Sequence, residues 1–286
     1  MKKILLSISV CLFFAAVSAQ TNTDKKQTGS QRVTAFKSTR IINAHSSEML
    51  APGTMDFRLL HRFGKLNQGV KQFFGLDQAA FRMAFDYGIS RDVMVGIGRS
   101  TLGKELDAFL KVRLVQQTTG ENERPVSLLL ASGVLLRTGV STDIYTPDPT
   151  FIQRSSAYFQ MIAARKFSDK FSFQLSPILL IRNRVYVNED NATFALGGGA
   201  RYKVSRKIAL TADYHNTIKG IAPGAKNPLS LGIDIETGGH VFQLHFSNSS
   251  GLSERAYLTE TSDDFFKGDI RFGFNLSRIF YVNRRK

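Results

Sequence analysis

Residues 229–247, LSLGIDIETGGHVFQLHFS, carry the reading that decides the fold. Leu229, Leu231, Ile233 and Ile235 alternate with Ser230, Gly232, Asp234 and Glu236. After Thr237-Gly238-Gly239 the alternation resumes, with Phe242, Leu244 and Phe246 set against Gln243, His245 and Ser247. Successive side chains of a strand point to opposite faces, so each half reads as a strand with one apolar and one polar face. Glycines at the join mark a tight hairpin.

The same period recurs in both directions along the chain, giving twelve segments in all. Towards the N-terminus, Ile208, Leu210, Ala212 and Tyr214 oppose Thr211, Asp213 and His215, and Phe194, Leu196 and Tyr202 oppose Ala195, Gly197, Gly199 and Arg201. Phe171, Phe173, Leu175, Leu179 and Ile181 oppose Ser172, Gln174, Ser176 and Arg182, and Phe159, Met161 and Ala163 oppose Tyr158, Gln160 and Lys166. Residues 126–136 are apolar on both faces and leave their phase open. Earlier still, Ala108, Leu110 and Val112 oppose Asp107, Lys111 and Arg113, while Val93, Val95 and Ile97 oppose Met94, Gly96 and Gly98. Phe81, Met83 and Phe85 oppose Arg82 and Asp86, and Met55, Phe57, Leu59 and Phe63 oppose Asp56, Arg58 and Arg62. The last segment sets Phe272, Phe274, Leu276 and Phe280 against Arg271, Gly273 and Asn275.

Connection lengths separate a membrane barrel from a soluble sandwich, whose strands would alternate as well. Tight joins fall at Ser90-Arg91, Ser168-Asp169-Lys170, Ser205-Arg206 and Thr237-Gly238-Gly239, with a modestly longer one at 117–124. The intervening joins are mostly long: 65–78, 139–152, 183–193, 216–228 and 248–268. Short turns on one rim and long loops on the other is the outer-membrane pattern, and segments near ten residues match a tilted spanning strand. Aromatic residues near strand ends (Phe63, Tyr87, Phe167, Phe171, Tyr202, Tyr214, Phe280) fit interfacial girdles. The fold expected is therefore all-β, a single antiparallel transmembrane β-barrel of about twelve strands with short periplasmic turns and longer outer loops.

The ends of the chain and its composition agree with that location. Lys2-Lys3, an apolar run from Ile4 to Val17 and the small-residue site Val17-Ser18-Ala19 read as a signal peptide over 1–19. Residues 20–50 then form an N-terminal periplasmic segment, and 51–286 the barrel domain. The single cysteine, Cys11, lies in the leader, which excludes a disulfide framework or a thiol nucleophile in the mature chain. The formal charge of +15 does not call for nucleic acid in an exported protein. Arg91, Lys170, Lys203, Arg206, Lys207, Arg284, Arg285 and Lys286 cluster at periplasmic strand ends, facing anionic headgroups or periplasmic partners.

Residues 40–64, RIINAHSSEMLAPGTMDFRLLHRFG, and the stretch 81–98 resemble a family of Bacteroidota β-barrel proteins classed as a domain of unknown function. The most specific part is Ile-Asn-x-x-Ser-x-Glu, here Ile42 to Glu48, ahead of a first strand opened by Gly53. The similarity runs from about residue 32 to the end. It implies an outer-membrane barrel, supplies no assigned activity and carries no functional residue across.

With the apolar face towards lipid, the polar face lines a lumen. The lining candidates are Asp56, Arg58, Arg62, Arg82, Asp86, Asp107, Lys111, Arg113, Arg201, Asp213, Asp234, Glu236 and Arg271, joined by Lys166, Arg182 and Asp269. Such charges can pair across the barrel as a structural network or line a selective path for a small, anionic solute. Interleaved glycines (Gly88, Gly96, Gly98, Gly197, Gly199, Gly232, Gly273) suit a narrow or plugged interior. Residues 33–50 either tuck into the lumen as a plug or lie across the periplasmic rim. Leu66, Val70, Phe73 and Phe74 have near-helical spacing for a short amphipathic helix at the outer rim, against ordinary loop packing. The acidic loop 254–269, with Glu254, Glu260, Asp263, Asp264 and Asp269, reads as solvated beneath cations bridging lipopolysaccharide.

Enzyme signatures are lacking: there is no Gly-x-Ser-x-Gly elbow, His-Glu-x-x-His or phosphate loop. No metal site and no cofactor is expected. The favoured function is an outer-membrane channel for small solutes. The runner-up is a non-conducting barrel that scaffolds a periplasmic or surface complex. A lipid-modifying enzyme built on the outward His61 ranks third. The partners expected are outer-membrane lipid, lipopolysaccharide and the barrel-assembly machinery, with no nucleic acid.

Overall fold

Twelve strands close into one antiparallel barrel in the computed structural model, which describes residues 29–139, 149–185, 189–237 and 240–282. In chain order they are β1 (Thr54–Lys65), β2 (Ala79–Gly88), β3 (Val93–Ser100), β4 (Glu105–Val115), β5 (Ser127–Arg137) and β6 (Ser155–Lys166). The second half comprises β7 (Phe171–Arg182), β8 (Ala192–Lys203), β9 (Ile208–Lys219), β10 (Leu229–Thr237), β11 (His240–Ser247) and β12 (Arg271–Tyr281). Each strand pairs with its sequence neighbours, and β12 returns to β1 with Leu276 opposite Leu59 and Ser277 opposite Arg58. Closure removes the free edges that would otherwise recruit other strands. The leader expected at 1–19, the Gly238-Gly239 turn and the terminal basic residues 284–286 lie outside the described residues.

The period-2 pattern sorts as the polarity demands. Along β7, Ser172, Gln174, Ser176 and Arg182 are buried while Phe171, Leu175, Leu179 and Ile181 are exposed. Outward residues around the wall, among them Phe85, Ile97, Val134, Phe159, Leu210 and Leu231, form a continuous exposed apolar surface. That surface is far larger than the isolated patches of a protein in water. The ambiguous segment acquires its phase from its neighbours. Lys111 of β4 pairs with Ala131 of β5, which pairs with Gln160 of β6. Directly paired residues share a face, so Ser127, Leu129, Ala131 and Leu135 turn inward and Leu130 and Val134 outward.

One rim is closed by a repeated turn: Ile89-Ser90-Arg91-Asp92-Val93, Phe167-Ser168-Asp169-Lys170-Phe171 and Val204-Ser205-Arg206-Lys207-Ile208. In each, the first two N–H groups donate to the carbonyl of the fifth residue, and the serine hydroxyl accepts from the N–H two residues on. The hydroxyl thus replaces a backbone partner inside the turn. Both described ends of the chain reach this short-turn rim: Val33 donates to Gln117 O, and Val282 donates to Gly53 O.

The opposite rim carries the long loops. Residues 66–78 do not form the amphipathic α-helix that their spacing allowed. They make two 3-10 turns, Leu66–Gln68 and Val70–Gly75, with Phe73 and Phe74 at positive φ and both exposed. The positive φ of Phe73 and Phe74 breaks the run that a shared helical face would need.

Candidate functional site

The lumen is filled from both rims. From the short-turn rim, residues 35–48 enter as a finger. Its ends are drawn together by Glu48, whose Oε1 accepts from the N–H groups of Ala35 (2.9 Å) and Phe36 (3.0 Å). Ile41 N–H donates to Ala44 O and Ser46 N–H to Thr39 O, both at 3.0 Å, so the chain doubles back at Ile42 and Asn43. This is a compact Ω-like loop with its tip inside the barrel. Residues 35–48 thus lie inside the barrel and do not run across its rim.

The wall holds the finger mainly by its backbone. Asp213 Oδ2 accepts from the N–H groups of Ile42 (3.4 Å), Asn43 (2.8 Å) and Ala44 (2.9 Å), a nest of donors around one carboxylate oxygen. Lys111 Nζ donates to Thr39 O (3.3 Å) and Glu48 O (2.7 Å), and Arg113 to Ser47 O (3.2 Å). Gln174 donates to His45 O (2.8 Å), Asn275 to Ile42 O (3.0 Å) and Gln243 to Ile41 O. Arg58 reaches the hydroxyls of Ser38 (2.9 Å) and Thr39 (2.8 Å). The Ile41 side chain lies against bare backbone at Gly199, where a Cβ would collide with its Cδ1.

From the long-loop rim, residues 248–261 turn inward and carry a short helix, α1 (Glu254–Thr259), every residue of which is buried. Ser253 caps it, accepting from Ala256 N–H, and its hydroxyl donates to Glu105. Arg255 donates to Glu105 (2.5 Å) and to Glu260 (2.7 Å), and Arg137 donates to Glu260 (2.6 Å). Further out, Asp263 pairs with Arg271 (2.7 Å) and Lys65 (3.3 Å). The solvated acidic loop expected here is thus corrected: Glu254 is buried against Arg40, a cation that an open loop could not reach, and Glu260 is held by Arg137 of the wall and Arg255 of α1. Tyr257 and Leu258 join an apolar cluster with Leu50, between finger and β1, and with Met94, Phe109, Leu135 and Ile178 of the wall.

The two inserts meet at mid-lumen. Arg40 Nη1 donates to Asn43 O (2.6 Å) and to Glu254 Oε1 (2.8 Å), so one guanidinium shapes the finger tip and bonds the helix. Arg62 donates to Ser249 O (2.8 Å), Gly251 O (3.1 Å) and Asn43 Oδ1 (3.0 Å), tying wall, insert and finger together. His45 Nε2 lies 3.2 Å from Arg40 and 2.9 Å from the Tyr158 hydroxyl. Because arginine only donates, Nε2 accepts and the ring is neutral. Burial, with Arg40 and Lys111 beside it, holds the His45 pKa well below the usual imidazole value.

Most of the remaining lumen candidates pair within the wall. Arg82 donates to Asp107 through Nε (2.8 Å) and Nη2 (2.5 Å), lying over Gly98, where a Cβ would leave it no room. Asp56 accepts from Arg58 (3.2 Å) and Ser277 (2.7 Å), and Asp86 from Thr39 (3.4 Å). Arg201 donates to Glu236 (2.5 Å), with Asp234 3.9 Å away and itself bonded by Gln243 (2.9 Å). Sequence reasoning singled out charges and passed over the amides Gln174, Gln243 and Asn275, although their place on the polar phase marked them. An amide carries both donors and acceptors, which suits it to bind another segment's backbone. Arg40, Glu254, Glu105 and Arg255 carried no comparable signal. Outside the barrel, His61 stacks on Phe274 (4.9 Å, 6°) beside Phe63 (4.4 Å), one ring in an aromatic row.

A sequence model of the family described as "Membrane bound beta barrel domain (DUF5777)" matches residues 36–280, from the finger to the end of the last strand. Among solved structures, the chain is similar to the KdgM porin, with 8% identity over 79% of this chain and 99% of that one and a TM-score of 0.46. The NanC porin gives 7% identity over 79% and 98%, with a TM-score of 0.46. The CymD monoaromatic hydrocarbon channel gives 8% over 83% and 90%, with a TM-score of 0.38. No curated protein matches the chain.

Proposed function

The chain belongs to that family of membrane-bound β-barrel domains, and from this premise we propose that it is an outer-membrane passage for small solutes, closed at rest by its own N-terminal finger. One observation carries the reading: the wall behind the finger is polar and charged. Lys111, Arg113, Arg58, Gln174, Gln243, Asn275 and Asp213 all address the finger. A permanent filling is made at least as stable by apolar packing, whereas these groups can exchange the finger for water. Withdrawal uncovers the cations of Arg58, Lys111 and Arg113 together with the carboxylates of Asp86, Asp213 and Glu254, the last losing Arg40, so the opened path is lined by charges of both signs. A second reading, a closed barrel that scaffolds a surface complex, draws on the exposed Val70, Phe73, Phe74 and Phe266 at the long-loop rim.

The test is a redox lock. Cys11 is the only native cysteine. In an Ile41→Cys/Gly199→Cys variant the new side chains start within disulfide reach, since a Gly199 Cβ lies 3.5 Å from Ile41 Cγ1. In a planar bilayer the reduced variant gives stepwise openings, and oxidation silences them. Equal current in both redox states removes the finger from the mechanism. Silence of both the reduced variant and a chain lacking residues 29–50 replaces the passage with the scaffold.

A further inference from the structure

At the short-turn rim, the strand-like stretch leading to the finger roofs a cleft. Gln31 and Arg32 pair with Thr119 and Thr118 of the β4–β5 connection, and the cleft beneath them has a volume of about 750 Å³. Five cationic side chains line it, Arg32, Lys37, Lys166, Arg201 and Lys203, against one lining carboxylate, Asp169, with Asp92 behind Arg32 at 3.7 Å in an exposed pair. Asp169 is fully exposed and, among the described residues, pairs with Lys166 alone, at 3.5 Å, so solvent screens most of that attraction. Lys203 has no ion pair among the described residues. Cations gathered in a concave, low-dielectric wall reinforce one another's potential, and an arginine fork adds directional bonds to an oxyanion.

The cleft also touches the root of the closure. Lys37, an exposed side chain near the start of the finger between the buried Phe36 and Ser38, pairs with Glu236 at 3.3 Å, and Arg201 holds the other oxygen of the same carboxylate at 2.5 Å. Glu236 is thus a latch between finger root and wall, and both of its cations also face the cleft.

We propose that this cleft is a binding site for a compact multivalent oxyanion, a polyphosphate or polycarboxylate, which competes with Glu236 for Lys37 and Arg201 and so loosens the finger. The site stands on its own geometry, and the loosening rests on the reading of the finger as a movable closure. The ligand exchanges one carboxylate for several, so its binding weakens steeply with salt.

The experiment titrates tripolyphosphate into the full chain, purified in detergent, by calorimetry at low ionic strength. Wild type binds saturably at one site, and Lys37→Gln/Lys203→Gln weakens binding about tenfold or more. Arg206→Gln/Lys207→Gln removes the same charge from an exposed turn on the same rim and changes affinity by about twofold at most. Circular dichroism on both variants checks that the barrel is folded. Equal weakening in the two variants, or no saturable binding, overturns the site. Protease cleavage within residues 35–48 reads the coupling: tripolyphosphate accelerates it in wild type and not in Lys37→Gln/Lys203→Gln. Binding without acceleration overturns the latch and keeps the site. Acceleration without ionic current leaves both standing and fails the passage reading alone.

Discussion

The finger and the outer insert fill the same lumen by different means. The finger, residues 35–48, contains no helix, and its backbone groups are satisfied largely by side chains of β4, β7, β9, β11 and β12. One of its ends continues into β1, while the other is fastened to the rim by a two-residue strand pair. The insert has a capped helix of its own, is spliced at both ends into neighbouring strands and brings Tyr257 and Leu258 into the main apolar cluster. A segment bonded from outside by hydratable groups can leave as a unit. The insert is held by a helix and by the main core, whereas Phe36, Ile41 and Ile42 of the finger form only a smaller cluster with Ala164 of the wall.

The largest expected effect is at the junction. Arg40→Ala leaves Glu254 buried without its cation, which costs about 3–5 kcal/mol. It should appear as protease cleavage within residues 35–48 while the barrel still melts as one unit. Arg40→Met/Glu254→Met should recover most of the loss, because the orphaned charge is gone. Equal protection losses in finger and α1 would break the distinction between them.

Next in size is Asp213→Asn, which keeps the shape but removes the charge facing three backbone donors. A loss of about 1.5–3 kcal/mol is expected. Hydrogen exchange should quicken at the amides of Ile42, Asn43 and Ala44 and stay unchanged at Tyr257. Acid sharpens the contrast further. The docked His45 pKa lies below its free value, so the released finger binds the proton more readily. Docking is at full strength above about pH 6.5 and weakens by up to about 1.4 kcal/mol per unit below it. Protease sensitivity of residues 35–48 should rise with falling pH in wild type, and the rise should flatten in His45→Gln. The smallest effect is Gly199→Ala, which crowds the end of Ile41 and costs about 1 kcal/mol. Ile41→Ala in the same chain should relieve it, with no response in the insert.

Much of the barrel is legible in the residue pattern. Asp234 and Glu236 alternating with Ile233 and Ile235 settle a face locally, and the Ser-containing turns at 90, 168 and 205 settle a rim. Residues 126–136 are not legible in this way, because two apolar faces carry no phase until Lys111 and Gln160 pair with Ala131 from either side. The acidic loop misleads for a related reason. Glu254 looks solvated when only its neighbours in sequence are counted, because its cation, Arg40, lies on the finger, and Glu260 is held by Arg137 of β5 as well as by Arg255 of α1.

The sequence by itself determined a closed sheet with one face for lipid and one for a polar interior, since a period of two is a property of the extended chain wherever it lies. What occupies that interior was decided by tertiary structure alone. Arg40 and Glu254 are 214 residues apart, and Asn43 and Asp213 are 170 apart. No local pattern encodes such pairs. They form because closing the barrel brings β9 and the β11–β12 loop around the same small volume, where a buried charge without a partner is too costly to leave alone.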